Sequence, residues 1–153
     1  MRPTATVPVR NGVPMAALLA AVVHLALDYV TSRTAWTTPP YLLLDHARGP
    51  FRDLLQIAPG AILAGASIAS SGVNGVVAAL FGYALQERPR RLVALGLLLS
   101  GLWVASGALL ALLYLSLPPG LLAGSLLTGV PRSFAVAWIV DRALPRPEVD
   151  RGP

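Results

Sequence analysis

Four long apolar runs constrain this chain more than anything else in it. Residues 13–31, 60–85, 92–115 and 121–140 each approach or exceed the ~20 residues that a helix needs to cross a hydrocarbon layer of about 30 Å. Apolar stretches of that length leave their backbone amides only one partner in lipid, which is each other, so each run is predicted to be a helix. Pro89 lies within the polar break ERPRR, and Pro118-Pro119-Gly120 separates the last two runs. Proline cannot continue a helix, and glycine relaxes the turn. The predicted fold is all-α: a four-transmembrane-helix bundle of two hairpins, with a short interfacial helix in the first loop. The expected domain is 13–140, flanked by disordered polar tails at 1–12 and 141–153.

Composition agrees with lipid as the solvent. Of 153 residues, 55% are hydrophobic and only 12% charged, against about 25% charged in soluble domains. The mean hydropathy is +0.65. No cysteine is present, which excludes disulfides, thiolate catalysis, zinc–cysteine sites and iron–sulfur clusters. The net charge of +5 does not mark a nucleic-acid binder. The basic residues are all arginine, lie mainly between apolar runs, and form no long stretch interleaved with aromatics. Their distribution reads instead as a topology signal. Arg2, Arg10, Arg88, Arg90, Arg91, Arg142, Arg146 and Arg151 share one side, while Arg33, Arg48 and Arg52 lie on the other. The positive-inside rule then puts both termini in the cytoplasm of a bacterial inner membrane. The first run is not read as a cleaved signal peptide, because Asp28 interrupts it and no small-x-small site follows.

Each run has one small or polar face, because residues three and four apart share a side of a helix. Ala17, Ala21, His24, Asp28 and Thr31 align in the first, and Ser67, Ser71, Asn74 and Ala78 in the second, with Ser70 beside them. Gly96, Ser100, Trp103 and Gly107 align in the third, and Ser125, Thr128, Arg132 and Val136 in the fourth. Counted at 1.5 Å per residue, His24, Asn74 and Arg132 fall near the layer's middle, and Asp28 about 6 Å farther out. An Asp or Arg at a span centre costs about 2.5–3.5 kcal/mol to insert, so the charges are expected to face each other. The expected structural pair is Asp28–Arg132, with the Asn74 amide within the arginine's reach. His24, Asp28, Asn74 and Arg132 are the candidate ligand- or proton-binding residues. Pro131 is expected to kink or break the fourth helix beside them.

The outer loop, WTTPPYLLLDHARGPFRDLLQIAP, is less polar than most loops. Trp36 and Tyr41 suit a membrane–water boundary. From Pro50, Phe51, Leu54 and Leu55 fall on one helical face and Arg52, Asp53 and Gln56 on the other. A metal site drawing on His24, Asp28, Asp45 and His46 would need a surface loop to dip to mid-membrane, and haem would find only one histidine within a span. No cofactor, metal or catalytic residue is therefore assigned.

The segment HLALDYVTSRTAWTTPPYLLL, residues 24–44, resembles the HxxxD-then-Thr segment of inner-membrane metal-dependent hydrolases. The first 23 residues hold no histidine, so that family's upstream ligands have no counterpart and its activity is not carried over. Small multidrug exporters and lipoprotein signal peptidases are also four-span proteins. The former would need a glutamate in the first span and the latter a pair of outer aspartates, and Asp141 lies on the side opposite Asp28. Three functions fit the residues: a binding or transport component, an assembly factor whose polar cluster only fixes the fold, or an intramembrane enzyme acting on a lipid or isoprenoid. The expected partners are the bilayer and either further copies of the chain or a larger membrane complex.

Overall fold

The computed structural model describes residues 12–31, 47–114 and 118–144. Residues 1–11 and 145–153 of the expected tails, and Trp36, Tyr41, Asp45 and His46 of the first loop, lie outside the described residues. Gly12 and residues 141–143, expected in the tails, are helical, because the first and last helices run past the apolar stretches. Five helices make up nearly all that is described: α1 (Gly12–Thr31), α2 (Gly49–Ile57), α3 (Pro59–Ala84), α4 (Arg91–Tyr114) and α5 (Pro119–Ala143). All but α2 are long and apolar enough to cross a membrane. The protein is an all-α, four-span membrane bundle.

Proline starts two of the long helices, because its ring presets the helical φ and its missing N–H is not needed there. Pro59 opens α3 and Pro119 opens α5. Gly49 precedes Pro50 with φ +55°, a left-handed turn that admits glycine at little cost, and α2 follows. In α2, Leu55 is buried while Arg52, Asp53 and Gln56 are exposed, which is the two-faced pattern of a short amphipathic helix. Pro131 does not break α5, which runs unbroken from Pro119 to Ala143. The ring lies on the exposed side, so no neighbouring helix is crowded by it.

Two antiparallel hairpins, α1–α3 and α4–α5, carry the most extensive packing, and α5 also lies against α1. Small residues set both seams. A Cβ on Gly75 would sit 2.4 Å from the Ala17 carbonyl oxygen and 2.8 Å from Ala21 Cβ, so only glycine allows α1 and α3 this close. In the second hairpin, a Cβ on Gly96 would strike the Phe134 ring at 2.5 Å. Ala16, Ala20, Ala78, Leu95, Val136 and Val140 lie in a dry core toward one end.

That end is closed by an ion pair. Arg91 opens α4 and is 1% exposed; its Nε donates to Asp141 Oδ1 at 2.6 Å. Its Nη2 donates to the carbonyls of Asp141 and Leu144, at 2.6 and 3.1 Å. The guanidinium thus serves the last carbonyls of α5, where the helix dipole is negative.

Two tests of this packing follow. Gly75→Val is expected to destabilise the bundle by about 1–3 kcal/mol through overpacking. Gly65→Val, where a new Cβ meets nothing within 4 Å, should leave stability within about 0.5 kcal/mol. Unfolding in mixed micelles measures both. Arg91→Ala should cost about 3–5 kcal/mol by stranding Asp141, and Arg91→Met with Asp141→Leu should recover most of it.

Candidate functional site

At mid-bundle α1 and α3 meet through paired polar residues at the same four-residue spacing. Ser67 Oγ donates to Asp28 Oδ2 at 2.8 Å, and one turn deeper His24 Nδ1 is hydrogen-bonded to the Ser71 hydroxyl at 2.9 Å. Antiparallel register makes this pairing automatic. A step of four along α1 in one direction meets a step of four along α3 in the other. One further turn down, the rows end in the Ala21–Gly75 contact.

The third member comes from α5. Arg132 is 5% exposed; its Nη1 donates to Asp28 Oδ1 at 2.7 Å and its Nη2 to the Thr31 hydroxyl. The Asp28 carboxylate is therefore bound on both oxygens, by a charged donor and a neutral one. The arginine also lies over the Trp103 indole of α4, with Cζ 4.8 Å from the ring centroid. That cation–π contact supplies electron density where Arg132 Nε, buried, has no hydrogen-bond partner among the described residues. Trp103 in turn meets His24, ring centroids 5.8 Å apart. The indole reaches this position only because residue 129 has no side chain. A Cβ there would lie 1.8 Å from its Cδ1 and Nε1. Every long helix thus contributes to one cluster.

Arg132 lies thirteen residues into α5, whereas Asp28 and Thr31 form the last turn of α1. Ser67 is eight residues into α3. At 1.5 Å per residue, α3 and α5 extend about 12 and 20 Å beyond the cluster on the side where α1 ends. The cluster sits at mid-height for α5 but at the end of α1. This is why the carboxylate is 26% exposed while the guanidinium is 4% exposed.

Asn74 is placed differently from the sequence expectation. Its Nδ2 donates to the Ser70 carbonyl at 2.8 Å and to Ser70 Oγ at 3.3 Å, within its own helix, and not to the Asp28–Arg132 pair. An amide on a short side chain satisfies itself locally when a serine precedes it by one turn. Asn74 does share a cavity of about 10 Å³ with His24, Leu99, Trp103, Ser133 and Val136. A void of that size holds about one water-sized group. Ser133 Oγ donates to the Gly129 carbonyl, and Ser100 Oγ to that of Gly96.

The structure thus brings His24, Asp28 and Arg132 together and sets Asn74 one step aside. Ser67, Ser71, Thr31 and Trp103 belong to the cluster, although sequence reasoning put them on polar faces without a role. The four-residue spacing shared by Asp28/His24 and Ser67/Ser71 was the available signal. Among the described residues, no three His, Asp or Glu side chains gather as metal ligands would.

Fold and cluster together define the class: a four-span membrane protein with an ion pair, a histidine and a tryptophan joined inside the bundle. No family model, curated protein or solved structure matches the chain.

Arg132→Leu or Asp28→Leu alone should lower the folded fraction strongly, because each strands a charge worth about 3–5 kcal/mol when its partner is lost. The double variant should fold better than either single one. Equal losses in all three, read by size-exclusion chromatography of detergent extracts, would show that the pair is not coupled.

Proposed function

We propose that this chain is a membrane binding or transport component whose ligand places a small polar or protonatable group beside His24 and Asn74, next to the Asp28–Arg132 pair. The cavity carries this reading. A cluster serving only to fix helix register is best filled by side chains, since a void forfeits packing energy. Here His24 and Asn74, from different helices, converge on an open space instead. His24 lines that space, and an intramembrane ionisable group so placed marks a site by default. His24 suits the role because its second ring nitrogen has no hydrogen bond among the described residues, which leaves it open to a ligand's donor or acceptor.

The polar track ends at Ala21–Gly75, and a dry core fills the bundle below it. That favours a binding site closed at one end over a continuous pore. The arginine distribution favours an inner-membrane location, both termini in the cytoplasm, and the closed end on that side. A chain with four spans fits work as an oligomer or as a subunit of a larger complex.

Native mass spectrometry of protein extracted from its host membrane tests the proposal. The wild type is expected to carry a bound small molecule, and His24→Ala to lose it at unchanged folded yield. If His24→Ala and Asn74→Ala change only the folded yield, and no adduct accompanies the wild type, the cluster is a register device.

A further inference from the structure

The four long helices do not close evenly. α3 and α4 are neighbours in the bundle, yet they touch sparsely. They approach at the closed end, where a Cβ on Gly82 would lie 3.5 Å from Leu95 Cδ2. Carrying that antiparallel register upward sets Asn74 opposite Trp103 and Ser70 opposite Gly107, and Asn74 and Trp103 do line the same cavity. At this height the edge between the helices is open: Ser70 and Ser106 are exposed and Asn74 is half-buried.

These are polar groups at mid-span on an open side of the bundle. Ser106 Oγ donates to its own helix, at the Trp103 carbonyl. Ser70 and Asn74 are incompletely used. Asn74 Nδ2 donates to Ser70, but Asn74 Oδ1 accepts no hydrogen bond, and the Ser70 hydroxyl donates none, among the described residues. An amide oxygen left unpaired in hydrocarbon is strongly unfavourable. One unused acceptor beside one unused donor is the complement of a hydroxyl group, which both gives and accepts a hydrogen bond. Asn74 also lines the cavity beside His24, which has room for about one water-sized group, the bulk of a hydroxyl.

We infer that the α3–α4 edge is a lateral entrance from the bilayer, and that the ligand is a membrane-dissolved alcohol. Its hydroxyl binds between Ser70 and Asn74 next to His24, and its apolar body lies along the gap. This rests on the reading of the cluster as a ligand site and adds the ligand's class and route.

Trp103 reports on the gap directly. With Trp36→Phe and Trp138→Phe it is the sole tryptophan, and the protein is placed in phosphatidylcholine vesicles. The probes are 2-bromohexadecan-1-ol, its methyl ether and 2-bromohexadecane, in which bromine quenches indole emission on contact. The alcohol is expected to quench saturably, at a concentration about tenfold below any saturation by the ether or alkane. Ser70→Ala with Asn74→Val should convert it to the linear, partition-limited quenching of the alkane. Ser70→Ala alone gives the same comparison if the double variant does not fold. Equal linear quenching by all three probes overturns the inference. So does a shielded Trp103 combined with efficient bismaleimide cross-linking of Ser70→Cys between copies, because a second chain then covers the edge. The native protein has no cysteine to confuse that result. The two readings fail separately. A missing native adduct counts against the ligand site, whereas quenching without preference for the alcohol counts against the entrance whatever the adduct shows.

Discussion

Charge in a medium that cannot solvate it is the constraint on which this bundle depends. Asp28 and Arg132 stand on different helices, and neither is tolerable alone among acyl chains. Once they meet at 2.7 Å, with Ser67 on the second carboxylate oxygen and Thr31 on the guanidinium, the rotations of α1, α3 and α5 about their axes are fixed together. Trp103 then ties α4 to the same point through its ring face, and glycine at 129 makes the approach possible. A change at any of these residues is felt by all four spans.

Each hairpin combines the same two devices in a different order. In α1–α3, the polar pairs occupy the middle and the small-residue contact at Gly75 lies beneath them. In α4–α5, Gly129 receives an aromatic ring at mid-height and Gly96 another nearer the end, where the Arg91–Asp141 pair lies. Small residues supply dispersion contacts in lipid, where no hydrophobic force drives helices together, and ion pairs supply the register. Because both hairpins converge on α5, and α3 touches α4 little, the bundle has one weak edge. Three polar residues that hydrogen-bond only within their own helices and are not buried, Ser70, Asn74 and Ser106, gather at that edge.

Much of this was legible in the residues. Run length and hydropathy identified four helices, because in lipid the backbone has no alternative to the helix. The i, i+4 spacing put His24 and Asp28 on one face, and the insertion cost of a lone charge turned Asp28 toward Arg132. Arg91 was less legible. As one of several arginines in a polar loop it reads as a topology signal, and only the antiparallel packing of α4 on α5 brings it to Asp141 and the last carbonyls. Asn74 was legible in position but not in partner, because the choice between Ser70 and a neighbouring helix is a matter of ångströms.

Sequence by itself determined the solvent, the number and length of the spans, and which faces must be hidden, since each follows from local hydropathy and helical period. Tertiary structure decided which hidden faces meet, at what height, and where the bundle stays open. Those depend on how closely two backbones approach, and hence on small residues such as Gly75 and Gly129 whose partners lie far away along the chain. Periodicity carries direction around a helix axis, but not the distance to the next helix, and the cavity beside His24 exists only in that distance.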